Sequence, residues 1–425
     1  MSEIIQLSPA ERGAAALPVP EPDLTPREIV ARAEALRPRL VERQAETEAL
    51  TWYPEATHKE FLEAGFYRIL QPRRHGGYEF DMPTFFKVVM EIGRGCASTG
   101  WCYCLSSAHI VQLAGLFSER TMGEIVGPEG DFRAASYGFH GGTLVPVEGG
   151  YRITGRWPYA SGAPYSTHFI GQAHRPEGDP NGEAGKEILF VLPRSEWVLC
   201  NDWGDVMGLK GSGSHSVEAK DGFLPASFVV EANLVGGRHD VATPRTHAVP
   251  MYAGRLAAFF CCELVAVAVG AAKGALDEYA RLITTKNATM FPGTLRVDLQ
   301  DYQRYYGQAA AKIAAAEHVI IRVAEEHMEY ARRAAEEGEP YPAEADMRNL
   351  IAAQEAGRLA WDAVQGIIFR TAGSSAARDG QRMQRYFRDL ATYWTHNAPA
   401  TDDWFNVNYA QLVFDKTTRF PGAKA

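Results

Sequence analysis

A chain of 425 residues, 46% hydrophobic and 22% charged, carries enough apolar material for a large core, spread over roughly two to four folding units. Its net charge of -9 excludes the basic stripe that a nucleic-acid binder needs. The six cysteines, Cys96, Cys102, Cys104, Cys200, Cys261 and Cys262, make no doubled C-x-x-C motif. That excludes a zinc ribbon and reads as free, buried thiols in a reducing compartment, here the cytoplasm.

In chain order, residues 1–24 carry four prolines and no periodic pattern, as expected of a flexible arm. Met1 to Ala16 shows no basic stretch followed by an apolar core, so no secretion signal is expected. Thr25 as a cap and Pro26 at the first helical position open a helical region predicted over 25–128. Gly76-Gly77 marks a break within it. Residues 129–236 change texture, becoming rich in Gly, Pro, Tyr and Val. Tyr151, Ile153, Gly155, Trp157, Tyr159 and Ser161 share one parity behind a Glu148-Gly149-Gly150 turn, which predicts a hairpin. Glu187 to Val191 and Ser216 to Phe223 read as further strands. With no β-α-β spacing, an antiparallel sheet is expected. Residues 237–425 return to helix. Met251–Lys286, Asp298–Glu336, Ala343–Arg370 and Gln381–His396 predict a four-helix bundle. The most apolar stretch, Leu256 to Ala271, is broken by Glu263 and reads as a buried helix, not a membrane span. The expected class is therefore α+β, in α, β, α order.

Several chemistries lack their residues. A ferritin-like di-iron centre needs two E-x-x-H pairs in a bundle. The single pair, Glu55 with His58, lies outside it. There is no H-E-x-x-H, G-x-S-x-G, G-x-G-x-x-G or G-x-x-x-x-G-K-[ST].

Three strings converge on one family. Leu62-Glu-Ala-Gly-Phe-Tyr-Arg-Ile-Leu-Gln-Pro-Arg-Arg-His-Gly-Gly-Tyr78 resembles the N-terminal signature of acyl-CoA dehydrogenases. Tyr151-Arg-Ile-Thr-Gly-Arg-Trp-Pro-Tyr-Ala-Ser-Gly162 resembles the strand lining their flavin. Gly208-Leu-Lys-Gly-Ser-Gly-Ser214 resembles their G-(L/M)-(R/K)-G-(T/S)-x-S turn. The resemblance spans about residues 27–415 and implies an acyl-CoA dehydrogenase-like fold. A dehydrogenase needs a carboxylate base over the flavin. No glutamate follows Glu355, and Thr371-Ala-Gly-Ser-Ser-Ala376 stands where dehydrogenases carry Gly-Gly-Tyr-Gly. Glu263, on an earlier bundle helix, keeps that alternative open.

The resemblance to the family's flavin-dependent monooxygenases, such as hydroxyphenylacetate and hydroxylated-steroid hydroxylases, is closer. Ser98-Thr-Gly-Trp101 followed by His109 resembles their S-T-G-W…H segment. Arg388-Asp389 followed by His396 resembles their R-D…H-x-A ending, with a departure at Asn397. Ser136 precedes Ser161 by 25 residues, as in that branch. The resemblance implies the oxygenase component of a two-component system. It would take reduced FMN or FAD from a separate NAD(P)H-dependent reductase, form a C4a-hydroperoxide with O2, and hydroxylate an aromatic, phenolic substrate. An S- or N-oxygenating relative and a non-catalytic scaffold are the alternatives. A homotetramer is implied, with no metal, nucleic acid or membrane.

The residues have physical readings beside the family ones. Ser161 can hold the flavin N5 proton, helped by a dry pocket; otherwise it caps a turn. His396 can take a phenol proton near neutral pH or touch the flavin; otherwise it offsets a helix dipole. Asp389, with Arg385 at i−4, reads as a structural ion pair. Trp101, Leu105 and His109 recur every four residues, one wall for a substrate pocket or a core stripe. Ser136 is a substrate or flavin contact. Tyr159, Ala160, Ser212 and Ser214 are flavin contacts by their place in the matched strings. Gly373 and Ser374 match the segment that, in the family, reaches flavin across a subunit interface. Lys286 can meet a flavin phosphate or simply end its helix. Trp101, Phe139, Tyr159 and Phe259 are candidate pocket lining.

Overall fold

The structure is a computed structural model that describes residues 16–232 and 249–415. Most of the arm expected over 1–24, and the boundary expected at 236/237, lie outside the described residues. From Ala16 onward the arm is tied down: the Leu17 amide donates to the Arg74 carbonyl at 2.9 Å.

The first helix, α1 (Pro26–Glu42), starts where the sequence predicts. The Thr25 hydroxyl and the Glu28 carboxylate form a reciprocal capping box, which satisfies amide protons that the first turn would otherwise leave unpaired. α2 (Gln44–Leu50), α3 (Glu55–Ala64), α4 (Met82–Gly95), α5 (Ala97–Ser107), α6 (Ile110–Leu116) and α7 (Glu119–Val126) follow. Cys96, extended at φ -159°, separates α4 from α5.

Eight strands make two four-stranded sheets. β2 (Thr143–Val147), β3 (Gly150–Trp157), β7 (Val217–Pro225) and β6 (Val198–Leu199) form one, in that order and wholly antiparallel. β1 (Ala134–His140), β4 (His168–His174), β5 (Glu187–Pro193) and β8 (Val229–Glu231) form the other. The expectation of purely antiparallel pairing fails here, because β1 and β4 run parallel. The chain leaves β1, makes the β2–β3 hairpin in the other sheet, and re-enters beside β1 in the same sense. A parallel pair needs a long crossover; this one is built of strands, which a search for helical crossovers misses.

The C-terminal helices are α8 (Ala257–Thr285), α9 (Gln300–Arg332), α10 (Ala343–Asp362), α11 (Arg370–Ala372), α12 (Arg382–Trp394), α13 (Asn397–Ala400) and α14 (Asp402–Phe414). A hairpin of β9 (Asn287–Ala288) and β10 (Phe291–Leu295) joins α8 to α9. α8 is the axis of the molecule, packing on α4, α5, α9, α10 and α12. It is apolar and long enough to cross a membrane, yet it is buried in protein along most of its length. A side chain at Gly270 would meet the Met90 carbonyl at 2.4 Å, so α4 and α8 cross backbone to backbone. That crossing fixes α5, and with it Trp101, against α8.

Candidate active site

Where α5, α8, α12 and the Gly208–Ser214 turn meet, three hydroxyls form a chain. Ser212 Oγ lies 2.7 Å from Ser214 Oγ, which lies 2.7 Å from Ser161 Oγ. The Trp101 indole N–H donates to Ser161 Oγ at 3.1 Å. A hydroxyl offers one proton and two lone pairs. If Ser212 donates to Ser214 and Ser214 to Ser161, the Ser161 oxygen is saturated as an acceptor and its proton points outward. Ser212 is fully buried, so it acts behind Ser161 and is not itself a surface contact. The Ala160 amide ties the same corner to the His215 carbonyl at 3.2 Å.

Ser161 is not the strand-end residue that parity implied. β3 stops at Trp157, and Tyr159 takes a left-handed φ of 56°. This breaks the alternation: Trp157 is buried, whereas Tyr159 is 69% exposed and meets Trp203 edge-on at 5.8 Å. A non-glycine residue in that conformation costs free energy, and it turns the aromatic ring out to the rim of the ledge on which Ser161 sits.

His396 stands over Trp101, ring centroids 5.4 Å apart at 70°. Helix α12 ends at Trp394, so His396 lies past its end, not within the helix expected over Gln381–His396. Its side chain reaches solvent, while the protein around the ring lowers its pKa from 6.5. Tyr393 adds a second edge-on ring to Trp101 at 6.4 Å. Asn397 is exposed at the start of α13.

A second polar group faces the same flank of α5. His109, just past the end of α5, donates through Nδ1–H to the Ala134 carbonyl at 2.7 Å. Its Nε2 therefore accepts, and the Ser136 hydroxyl lies 3.1 Å away. Burial holds the His109 pKa down to about 4, so the ring is neutral at pH 7. Eight residues separate His109 from Trp101, about 12 Å of helix rise. Partly exposed Leu105 lies between them. Phe260 faces His109 at 6.2 Å. The expected lining residue Phe259 is core instead, against Phe86 and His327; with Phe259 and Phe260 adjacent, the sequence does not say which of the two faces outward. Phe139 is exposed on β1.

The remaining candidates lie elsewhere. Lys286 caps the far end of α8. Nineteen residues separate it from Val267, which packs beside Trp101, roughly 28 Å of helix. Gly373 is close to Lys286: the Arg296 guanidinium donates to the carbonyls of Asn287 at 3.3 Å and Ala372 at 2.6 Å. Ser374 follows in a short turn. The Arg385–Asp389 pair is also absent. Arg385 pairs with Glu48 at 3.0 Å, and Asp389 accepts the Leu209 amide at 2.6 Å. Sequence reasoning missed that contact and the roles of Phe260 and Tyr393; the Asp389–Leu209 pair, 180 residues apart, leaves no local signal.

A flavin suits this donor set. A hydroxyl, an indole wall and an imidazole stand together there, groups that can meet a flavin's polar edge and its ring. The dehydrogenase candidate Glu263 is 2% exposed, its Oε1 has no hydrogen-bond partner among the described residues, and burial raises its pKa well above 4.5. Burial disfavours its charged form, and it lies beside Cys104 and Cys262.

Two family models match the chain: Acyl-CoA dehydrogenase, N-terminal domain, over residues 27–118, and Acyl-CoA dehydrogenase, C-terminal domain, over residues 263–400. The oxygenase subunit HsaA of a flavin-dependent monooxygenase from Rhodococcus jostii (strain RHA1) is 30% identical over 373 residues, covering 86% of this chain and 93% of that one. The crystal structure of 3-HSA hydroxylase from Rhodococcus sp. RHA1 matches with a TM-score of 0.78 at 26% identity, covering 92% of this chain and 98% of the other. XiaF from Streptomyces sp., in complex with FADH2 and glycerol, shares the fold with a TM-score of 0.80 at 24% identity, over 93% and 97% of the two chains. The chain belongs to the flavin-dependent monooxygenases built on the acyl-CoA dehydrogenase fold. It is the oxygenase component of a two-component system, using reduced flavin and O2 and depending on a separate flavin reductase.

Proposed function

We propose that this oxygenase hydroxylates a phenolic ring held between the Ser161–Trp101–His396 ledge and the Ser136–His109 pair. The observation that carries the reading is the Ser136–His109–Ala134 arrangement, at 3.1 and 2.7 Å. With its proton given to His109 Nε2, the Ser136 oxygen is left as an acceptor for a phenol O–H. The pair then moves the phenol proton toward His109 as the ring becomes the nucleophile. The low pKa of His109, about 4, keeps it an acceptor in the resting enzyme. Leu105 and Phe260 supply the apolar sides.

Reduced FMN or FAD, when bound, supplies the electrons that activate O2, one atom entering the ring and the other leaving as water. Ser161 donates its outward proton to the flavin edge; Trp101 and Ser214 hold that hydroxyl in direction. His396 and Tyr159 close the rim, and the Ala160 backbone, Asn397, Ser212 and Ser214 shape the ledge. Lys286, roughly 28 Å away by helix rise, and Gly373 and Ser374 near it serve the flavin of a neighbouring copy. The assembly is a homotetramer in this reading; the exposure of Met290 (83%) and Phe291 (57%) beside Lys286 supports it, as apolar surface that a second copy would cover. The six cysteines are free, which suits the cytoplasm, where the reductase also works.

The test supplies enzyme with reduced flavin and O2 and measures product against peroxide. Phenols should suppress peroxide release and be hydroxylated. Oxidation of thioethers or amines in preference to phenols would overturn the substrate class.

A further inference from the structure

We propose that Asp389 is a positioning residue for Ser161: its carboxylate clamps Leu209, and so holds the turn that carries Ser212 and Ser214. This rests on the reading of Ser161 as the residue that meets the flavin.

The argument starts from strain. Leu209 sits at φ 52°, a region a branched, bulky side chain avoids unless its surroundings hold it there. Asp389 supplies the hold, Oδ1 accepting the Leu209 amide at 2.6 Å. The turn is pressed onto α12 at this point: a side chain at Gly208 would meet the Arg388 carbonyl at 2.1 Å. From Leu209 the turn runs directly into the site. The Ser212 amide donates to the Leu209 carbonyl at 3.1 Å, and the Gly162 amide to the Ser212 carbonyl at 3.2 Å. The hydroxyls of Ser212 and Ser214 then continue to Ser161 at 2.7 Å each. Other contacts anchor the turn around it: the Arg388 guanidinium donates to the Met207 carbonyl at 2.6 Å, the Trp203 indole N–H to the Leu209 carbonyl at 3.1 Å, the Gly211 amide to the Ser98 hydroxyl at 3.3 Å and the Gly213 amide to the Thr51 carbonyl at 2.9 Å; Asp389 is the one that holds the strained Leu209 amide itself.

The clamp also senses charge. Burial lifts the Asp389 carboxyl to about 7 against the pull of the Leu209 amide. The charged and titratable groups that act on it are Glu48 of α2, Arg385 and Arg388 of α12, and the Cys96 thiol between α4 and α5. An ionised acceptor makes a stronger hydrogen bond than a neutral one. The clamp therefore tightens as pH rises through about 7.

Hydrogen exchange on the full-length protein, without flavin, tests the clamp. Protection of the 209–214 amides, corrected for intrinsic exchange, should rise between pH 6 and 8. In Asp389→Asn it should be flat with pH and about tenfold lower at pH 8. Leu209→Gly removes the strain, because glycine accepts this φ, and should restore most of the protection when combined with Asp389→Asn. Unchanged protection in Asp389→Asn at pH 8, or no rescue by Leu209→Gly, overturns the clamp. Anaerobic titration with reduced flavin, and peroxide yield under O2, read its service to the site. Both should worsen several-fold in Asp389→Asn. If protection falls while both stay unchanged, the positioning role is overturned. If Ser161→Ala itself changes neither, the Ser161 reading fails and takes the positioning role with it, while the exchange result still stands.

Discussion

The two ends of α8 are built in opposite ways. At the end near Phe260 and Val267 the helix is enclosed, and the polar groups beside it are tied to one another: Trp101 to Ser161, Ser161 to Ser214, Ser136 to His109. Its histidines are held neutral by burial. At the other end, Lys286 is exposed, Met290 and Phe291 stand in solvent, and polar contacts run to backbone carbonyls through Arg296. The first end is organised within one chain. The second presents apolar surface that a single chain does not cover. The proposed reaction site and this uncovered apolar surface are thus separated by roughly 28 Å of helix.

The largest effect that sharpens this contrast is expected at Ser161. Ser161→Ala removes a preset donor, which costs on the order of 100-fold in such sites. Product per peroxide should fall accordingly while the fold, read by circular dichroism, is unchanged. An unchanged ratio would break the claim that this end is the reaction site.

The buried histidines predict a pH dependence. His109 and His327 are depressed from 6.5 to about 4 by burial, so the unfolded chain binds more protons between those values. Stability is then full above pH 6.5 and is lost as pH falls toward 4, by about tenfold in the folding equilibrium per pH unit for each histidine. Urea unfolding at pH 7 and pH 5 measures it. His327→Met should flatten the slope by one histidine's share; no change in slope would refute the assignment.

At the far end, Phe291→Glu should dissociate the assembly in sedimentation and weaken reduced-flavin binding about tenfold, as expected when a charge enters an apolar interface. A fully assembled variant with normal affinity would mean that the two ends of α8 do not cooperate across copies. Tyr159→Ala, at the rim, is expected to weaken flavin affinity by only about threefold, the loss of a single exposed ring contact. A much larger loss would move the centre of the site from Ser161 toward the rim.

The sequence by itself determined the order of layers and the chemistry that is missing. Helix caps, the β2–β3 turn and the apolar runs are local features, so Thr25, Gly149 and the long C-terminal helices could be read directly. The absence of a late glutamate, with Ser161, His109 and His396 present, already separated an oxygen-using enzyme from a dehydrogenase. The tertiary structure decided what depends on distant partners. Local parity did not foresee the left-handed Tyr159 that ends β3, nor the helical pattern over Gln381–His396 the turn that puts His396 beyond α12. The parallel β1–β4 pair depends on a path through a second sheet. Asp389 met Leu209, not Arg385, because a strained turn from the β region packs against α12 there. A hydrogen bond between residues far apart in the chain is set by the packing of whole elements, and neither residue's neighbours record it.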